Sequence, residues 1–259
     1  MDSCSLFSVK GKVVLITGGA KGIGRMIAEG FVASGAKVYI SGRDAKACTE
    51  TAAALGPSAV AVPANLQKYE ECQRLVDEIT RLEPGGLHVL INNAAANWGE
   101  GIDTYPDAAW DKVMTLNVQR VFTLSQMSLP LLEKAGSRED PARIIHIGSI
   151  DGIRTPVLSN YAYSASKAAL HHLSRAMARE LGPRNITSNT VAYGPFPTKM
   201  MKHVMETSGD VIREEVPLRR VGRPEDAAGT CMFLASKAGS YCNGALLTCD
   251  GGSALLSKM

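Results

Sequence analysis

Short apolar runs alternate along this chain with longer stretches whose apolar residues recur at helical spacing. Seven runs have the character of strands, at Val13–Thr17, Lys37–Ser41, Ala59–Val62, Leu87–Asn92, Arg143–Gly148, Thr187–Ala192 and Ala245–Cys249. Helical patterns lie between them, near residues 22–34, 44–54, 67–82, 107–134, 161–182 and 224–236. Strands that are apolar throughout and separated by helices are typical of a parallel sheet covered on both faces. The sequence therefore predicts an α/β fold, with a doubly wound, seven-stranded parallel sheet.

No repeat, low-complexity tract or linker divides the chain, so we expect one domain over residues 1–259. A net charge of +3 and the absence of a long basic run argue against a nucleic-acid partner. No window of about 20 residues is apolar enough to span a membrane. The six cysteines form no C-x-x-C pair, which is typical of reduced thiols in a cytoplasmic protein. The alternative is a peroxisomal location, because the terminal Ser257-Lys258-Met259 resembles the address S-K-L.

A glycine-rich loop follows the first predicted strand and leads into a helical pattern. It reads T-G-G-A-K-G-I-G, with Gly18, Gly22 and Gly24 in the spacing G-x-x-x-G-x-G. Glycine permits positive φ and lets the backbone approach a pyrophosphate held at the N-terminus of a helix. The position of this loop after the first strand of an α/β pattern therefore predicts a dinucleotide-binding site.

The end of the second predicted strand indicates which dinucleotide binds. An NAD site has an acidic residue about 20 positions after the loop, to bind the ribose 2′-hydroxyl. This chain has Gly42 at that place, followed by Arg43, whose guanidinium can hold a 2′-phosphate through two hydrogen bonds. Lys21 is the candidate for a second cation at the same phosphate, and Asp44 fits the N-cap of the next helix. The pattern favours NADPH over NADH.

Tyr163 and Lys167 have the spacing that brings a phenol and an ammonium together on one face of a helix. A phenol with a pKa near ~10 needs a shift of about three units, or ~4 kcal/mol, to act near neutral pH. A cation at about 4 Å in an effective dielectric of about 20 supplies that much. Tyr163 can thus act as a general acid toward a carbonyl oxygen, or as a base toward an alcohol. Tyr161 lies six positions before Lys167 and is expected to be a pocket or packing residue.

Two further polar residues follow the carboxyl ends of strands, where ligands of such sheets bind, and a third lies in a helical pattern. Ser149 follows the fifth predicted strand and could donate a hydrogen bond to the same carbonyl oxygen. Asn93 follows the fourth predicted strand, within a segment of small and polar residues that a cofactor could approach closely. Asn117 lies inside the long helical pattern of residues 107–134 and would face the same crevice.

Together these segments resemble the short-chain dehydrogenases/reductases over nearly the whole chain. The resemblance rests on T-G-G-A-K-G-I-G at 17–24, N-N-A-A at 92–95, Asn117, I-G-S-I-D-G at 147–152, Y-S-A-S-K at 163–167 and D-G-G at 250–252. It implies a Rossmann-like domain, a homotetramer or homodimer, and an Asn-Ser-Tyr-Lys tetrad. By that resemblance Tyr163 is the acid or base, Lys167 lowers the pKa of Tyr163 and binds the nicotinamide ribose, Ser149 positions the substrate oxygen, and Asn117 holds a water.

The resemblance also implies which residues contact NADPH: Gly18, Lys21, Gly22, Ile23, Gly24, Arg43, Asn65, Leu66, Asn93, Ala94, Tyr163, Lys167, Gly194 and Thr198. Three positions depart from the family pattern. Asn65 replaces an aspartate beside the adenine, and Ala95 replaces a glycine. Tyr193 replaces a proline next to the nicotinamide, where it either reshapes the substrate pocket or is a tolerated change in bulk.

Within the family the chain is most similar to β-ketoacyl reductases, which predicts reduction of a β-ketoacyl thioester or a secondary-metabolite ketone. The resemblance places a substrate lid at about residues 196–218, with an apolar stripe of Met200, Met201, Val204 and Met205. Trp98 could line the pocket. The alternatives are an alcohol dehydrogenase working oxidatively, a peroxisomal enoyl- or dienoyl-CoA reductase, and a catalytically vestigial NADPH-binding sensor. Tyr163 argues against the dienoyl-CoA type, which lacks this tyrosine.

Overall fold

All seven predicted strands pair side by side in one parallel sheet of a computed structural model, which describes residues 2–156, 158–198, 214 and 216–255. Their order is β3-β2-β1-β4-β5-β6-β7. The strands are β1 (Val13–Thr17), β2 (Lys37–Ser41), β3 (Ala59–Ala61), β4 (Val89–Asn92), β5 (Ala142–Ser149), β6 (Ile186–Tyr193) and β7 (Leu246–Cys249). The predicted fold class is confirmed, and each strand end falls within two residues of its predicted place.

Helices connect the strands and cover both faces of the sheet. They are α1 (Ser3–Leu6), α2 (Gly22–Ala33), α3 (Ala45–Leu55), α4 (Tyr69–Leu82), α5 (Asp107–Met114), α6 (Arg120–Met127), α7 (Leu129–Ala135), α8 (Tyr161–Leu181) and α9 (Pro224–Ala235). The Asp44 side chain accepts a hydrogen bond from the Ala47 N–H at 3.1 Å, so this residue caps α3 as predicted. No helix in the described ranges is both long and apolar enough to cross a bilayer.

The single helix predicted over residues 107–134 is three helices in the structure, and that prediction was wrong in this respect. One π-helical turn, Thr115–Gln119, separates α5 from α6. A second interruption falls at Ser128, directly before α7, which has Pro130 in its first turn. Proline lacks the N–H that an uninterrupted helix needs, and its ring clashes with the preceding turn. π-helical turns are frequent at functional sites, and this one contains Asn117.

The direction of the chain through the sheet reverses between β1 and β4. From β1 the chain proceeds outward through β2 to β3, and it then returns to place β4 on the opposite side of β1. Apolar clusters fill both faces of the sheet, and they include Ile16 and Ile91 on one face and Leu15 and Leu90 on the other. A sheet of this order opens a crevice beyond the carboxyl ends of β1 and β4.

Most of the predicted lid lies outside the described residues. These include residues 199–213, and with them Met200, Met201, Val204 and Met205. The terminal Ser257-Lys258-Met259 also falls outside the described part of the chain.

Candidate active site

A cavity of about 500 Å³ opens beyond the carboxyl ends of the central strands, as the sheet order predicts. Its lining includes most of the predicted cofactor residues: Gly18, Lys21, Gly22, Ile23, Arg43, Asn65, Leu66, Asn93, Ala94, Tyr163, Lys167 and Thr198. Gly24 and Gly194 do not line it. Gly24 packs beneath the loop, and Gly194 lies so close to Asp250 that an added Cβ would be 2.7 Å from the Asp250 Cβ.

The glycine loop has the backbone that its sequence predicts. Gly18 and Gly22 have φ angles of +66° and +53°, a region that other residues seldom occupy. A Cβ on Gly24 would lie 2.5 Å from the carbonyl oxygen of Gly18, so only glycine lets α2 begin this close to the loop. The N-terminus of α2 thereby points its unpaired N–H groups at the cavity, which is the arrangement that binds phosphate.

Thr17 joins the ends of β1 and β4, a role that the sequence did not reveal. Its hydroxyl oxygen accepts hydrogen bonds from the main-chain N–H groups of Asn93 at 2.9 Å and Ala94 at 3.0 Å. The Asn93 side chain in turn donates from Nδ2 to the Thr17 carbonyl at 2.8 Å. These bonds hold the glycine loop and the Asn93–Ala94 segment together at the floor of the cavity.

The two predicted phosphate-binding cations differ in their surroundings. Both Lys21 and Arg43 line the cavity, but the Lys21 Nζ lies 2.7 Å from Oδ2 of Asp44. The pKa of Asp44 is lowered, chiefly by this hydrogen bond. Since both side chains of the pair are about half exposed, the pair contributes little to stability. Lys21 can therefore exchange Asp44 for a phosphate at small cost, and Arg43 is the stronger candidate for the phosphate ligand.

Asn65, which replaces the family aspartate, has its side chain held by the neighbouring backbone. Its Oδ1 accepts a hydrogen bond from the Gln67 N–H at 3.3 Å, and both residues line the cavity. Further residues line the cavity that were not named individually as cofactor contacts: Gly42, Ala64, Gln67, Ala95, Ala96, Asn97, Lys112, Leu116, Ile147 and Gly148. Five of these ten follow the ends of β2, β3 or β4 closely, a position that the sequence could indicate: Gly42, Ala64, Ala95, Ala96 and Asn97.

The Lys167 side chain is buried at the cavity floor, beside Tyr163. Its Nζ donates a 2.7 Å hydrogen bond to the Ile147 carbonyl and lies 5.5 Å from the centre of the Tyr163 ring. Burial lowers the pKa of Lys167 to about 8. The ammonium is therefore present at neutral pH and is lost at moderately alkaline pH.

Burial raises the pKa of Tyr163 to about 12, and a hydrogen bond with the Ser149 hydroxyl acts in the opposite direction. The phenol therefore holds its proton at neutral pH, which is the state that a general acid requires. The lowering of this pKa by Lys167, which the family resemblance implies, stays a prediction.

Ser149 is the last residue of β5 and lies next to the Tyr163 phenol. Its Oγ accepts a 3.1 Å hydrogen bond from the Asp151 N–H. This bond fixes the oxygen and leaves the hydroxyl proton free to be donated. Ser149 and Tyr163 are thus placed to hold one carbonyl oxygen between them.

Asn117 supports the site from below and does not line the cavity. Its Oδ1 accepts from the Ala96 N–H at 2.8 Å, while its Nδ2 donates to the Ala96 carbonyl at 2.9 Å and to the Ser166 Oγ at 3.0 Å. Ser166 donates in turn to the Tyr163 carbonyl at 2.7 Å. Asn117 therefore ties a cavity loop to the helix that bears Tyr163, and its water-holding role stays a prediction.

Two aromatic residues considered for the pocket lie outside the cavity lining. Trp98 is partly exposed, with the Lys112 Nζ 5.8 Å from the centre of its ring. Tyr161 packs edge to face on Tyr105, with the ring centres 5.6 Å apart. The structure thus gives Tyr161 the packing role, and Tyr163 is the tyrosine at the cavity.

Tyr193 is a core residue. Of its two predicted roles, the structure therefore supports a tolerated change in bulk and not a reshaped substrate pocket. It ends β6 with 3% of its surface exposed, and its hydroxyl donates to the Ala227 carbonyl at 2.7 Å. Its ring packs edge to face on Phe196 at 5.1 Å. Because the side chain points toward α9, it leaves the cavity lining unchanged.

We expect Tyr193→Phe to lower the free energy of unfolding by about 1 to 2 kcal/mol, because the buried hydroxyl bonds to both the Ala227 carbonyl and the Cys231 Sγ. The kcat/KM for any substrate should stay within about twofold of the wild-type value, since the substitution changes the core and not the cavity lining. Denaturant unfolding and steady-state kinetics test this, with the fully exposed Tyr241 as the control in Tyr241→Phe. Reduced kcat/KM at unchanged stability would instead place Tyr193 in the pocket.

Comparison with known proteins agrees with this geometry. A family profile described as enoyl-(acyl carrier protein) reductase matches residues 18–254. A rhamnolipids biosynthesis 3-oxoacyl-[acyl-carrier-protein] reductase of Pseudomonas aeruginosa is 42% identical over 95% of this chain and 97% of its own length. A 5-keto-D-gluconate 5-reductase of Escherichia coli is 34% identical over 95% of this chain and 97% of its own.

The fold of a solved relative also matches. The Pseudomonas aeruginosa RhlG/NADP active-site complex superposes with a TM-score of 0.93, covering 96% of this chain and 99% of that one at 42% identity. The phosphate loop, the Tyr163–Lys167 pair beside Ser149, and these matches along nearly all of the sequence lead to one conclusion. The chain is an oxidoreductase that belongs to the short-chain dehydrogenase/reductase family.

Proposed function

We propose that this enzyme reduces a ketone to a secondary alcohol with NADPH, and that Tyr163 donates the proton. The observation that carries the proposal is the Tyr163 phenol at the cavity wall, beside Ser149 and with the buried Lys167 Nζ 5.5 Å from its ring centre. The use of NADP agrees with the NADP complex of the 42% identical relative. The 3-oxoacyl reductase among the relatives supports a ketone as the reacting group.

The residues present fit a dinucleotide. The positive φ angles of Gly18 and Gly22 and the close contact of Gly24 form a loop that a Cβ would obstruct. Thr198 closes over the same loop, because a Cβ on Gly22 would lie 3.2 Å from its Cγ2. When bound, the reduced nicotinamide supplies the hydride, while the protein supplies orientation and charge.

The side chains of the chain perform the proton half of the reaction. Ser149 and Tyr163 donate hydrogen bonds to the carbonyl oxygen, which orients the ketone and polarises it. As negative charge develops on that oxygen, Tyr163 transfers its proton to it. Lys167, anchored on the Ile147 carbonyl, stabilises the phenolate that remains. The alcohol then leaves, and solvent protons restore the phenol.

Arg43→Asp is expected to lower kcat/KM for NADPH by about 100-fold, because two charge-assisted hydrogen bonds to the 2′-phosphate are replaced by repulsion. NADH, which lacks that phosphate, should become the preferred cofactor. Arg25→Asp is the matched control, since Arg25 is an exposed arginine on α2 that does not line the cavity. Unchanged preference in Arg43→Asp would refute the phosphate assignment.

We infer that the substrate is a β-ketoacyl thioester or a secondary-metabolite ketone. The 42% identical 3-oxoacyl reductase favours the thioester. The family description names enoyl reduction, but Tyr163 and Ser149 are arranged to bind and protonate a carbonyl oxygen, whereas enoyl reduction places hydrogen on carbon. Assembly as a homotetramer or homodimer and a cytoplasmic location stay predictions.

A substrate panel with NADPH consumption as the readout tests this proposal. It should include acetoacetyl-CoA, longer β-ketoacyl thioesters, bulky cyclic ketones and 5-keto-D-gluconate. We expect turnover of at least one β-ketoacyl thioester with formation of the alcohol. Absence of NADPH consumption with every ketone would favour a vestigial sensor, and faster oxidation of the alcohols at neutral pH would favour a dehydrogenase.

A further inference from the structure

Asp151 lies on the short 3₁₀ turn Ile150–Gly152, directly after Ser149, and the mechanism above does not use its side chain. The turn packs tightly against α8, since a Cβ on Gly152 would lie 2.7 Å from the main-chain carbonyl carbon of Lys167. The Asp151 N–H also holds the Ser149 Oγ at 3.1 Å. The turn therefore has a fixed place between the two parts of the chain that carry Ser149 and Lys167.

The carboxyl group of Asp151 is fixed as well. Its Oδ2 accepts a 3.2 Å hydrogen bond from Nδ2 of Asn160, a residue with 3% of its surface exposed that directly precedes α8. Asp151 itself is partly exposed. Partial burial raises the pKa of this carboxyl, while Asn160 and Arg154 act against the increase. The hydrogen bond from Asn160 holds the carboxyl group in one position next to the start of α8.

The Asp151 carboxyl group lies close to the reacting position, since its carbon is three bonds from the N–H that holds the Ser149 Oγ at 3.1 Å. In agreement with this placement, Asp151 contributes to raising the pKa of Tyr163. The Arg154 guanidinium donates through NH1 to the Ser253 carbonyl at 2.8 Å, and its charge acts on Asp151 without a hydrogen bond to it. A substrate bound beside the Tyr163 hydroxyl therefore lies in the electric field of the Asp151 carboxylate.

We propose that Asp151 is a specificity-determining residue whose carboxylate disfavours substrates with a negative charge close to the reacting ketone. The enzyme therefore selects neutral acyl esters and thioesters over free keto acids. A β-keto acid that places its ketone oxygen between Ser149 and Tyr163 has its own carboxylate only two carbons from the reacting centre. Like charges repel in a partly buried site, whereas a thioester carries no charge there. This inference rests on the proposed ketone reduction.

Two probes with the same ketone and different charge test the inference: acetoacetyl-N-acetylcysteamine, which is neutral, and acetoacetate, which is an anion. The wild-type enzyme should strongly prefer the thioester. Asp151→Asn keeps the shape of the side chain and removes its charge, so kcat/KM for acetoacetate should rise about tenfold. The value for the thioester should change by less than about threefold, so that the ratio of the two kcat/KM values shifts.

Two further variants separate charge from structure. Asp103→Asn removes an exposed carboxylate from the loop before α5 and should leave the ratio unchanged. Asp151→Glu keeps the charge and should preserve the preference for the thioester. NADPH binding, measured by fluorescence, confirms that each variant is folded.

If wild type and Asp151→Asn both reduce the thioester and have the same ratio of kcat/KM for thioester and acetoacetate, the inference is overturned and the proposed ketone reduction stands. The inference would also be overturned if Asp103→Asn shifted the ratio as much as Asp151→Asn does, because the effect would then come from the overall charge of the protein. If the wild-type enzyme reduced neither probe nor any other ketone, the proposed function would fail and the inference with it.

Discussion

Tyr163→Phe is expected to lower kcat for ketone reduction by about 1,000-fold while NADPH affinity stays within about threefold of wild type. The variant removes the proton donor and retains the ring, so the packing around α8 is preserved. Single-turnover NADPH oxidation measures the loss, and fluorescence titration measures cofactor binding. A general acid that contributes only in the transition state should leave KM little changed.

Tyr161→Phe is the matched control, because Tyr161 lies on the same helix two residues earlier and packs on Tyr105 outside the cavity. It should retain nearly full activity. Wild-type turnover in Tyr163→Phe, or an equal loss in Tyr161→Phe, would refute the assignment of the proton donor.

Lys167→Met is expected to reduce kcat by about 100-fold or more and to weaken NADPH binding as well, because the ammonium serves both the phenolate and the cofactor. The wild-type pH profile should report the same group. Since burial lowers the pKa of Lys167 to about 8, the positive charge is present below that pH and lost above it. The reductive kcat/KM should therefore decline as the pH rises past about 8.

Lys68→Met, at an exposed lysine before α4, is the control and should keep the wild-type profile. A reductive rate that holds steady well above pH 8, or a Lys167→Met variant with wild-type kcat, would contradict the proposed role of the ammonium.

The features predicted well from the sequence are those that depend on local pattern. The strands are continuous apolar runs, and the phosphate loop is three glycines between a strand and a helix. The Tyr163–Lys167 pair needed only the geometry of one helix. Each of these signals lies within a few consecutive residues, so one sequence was enough to place them.

The features that were missed depend on contacts between distant segments. Thr17 bonds to Asn93, 76 positions later, and neither residue alone indicates the other. The π-helical turn at Thr115–Gln119 contains Asn117, whose buried bonds to Ala96 and Ser166 cannot be read from a helical periodicity. The Lys21–Asp44 pair likewise forms only once β2 brings Asp44 beside the phosphate loop.

The core position of Tyr193 could be predicted from the alternation of side chains along β6. Side chains alternate across a strand, and Val191 and Tyr193 share the face of the sheet that packs against α9. Extending β6 by one residue beyond its predicted end would have placed Tyr193 in the core. The family pattern has a proline at this position, which indicates a loop instead of a strand.

Transfer of deuterium from NADPH labelled at C4 tests the central claim most directly. The enzyme is given acetoacetyl-CoA together with crotonyl-CoA, which offer a ketone and an alkene, and the products are resolved by mass spectrometry. Cofactor labelled on each face in turn is used, since either hydrogen can be the one transferred. We predict deuterium at the carbinol carbon of 3-hydroxybutyryl-CoA and none in butyryl-CoA. Deuterium in butyryl-CoA, or an unlabelled alcohol from both cofactors, would contradict carbonyl reduction at Tyr163.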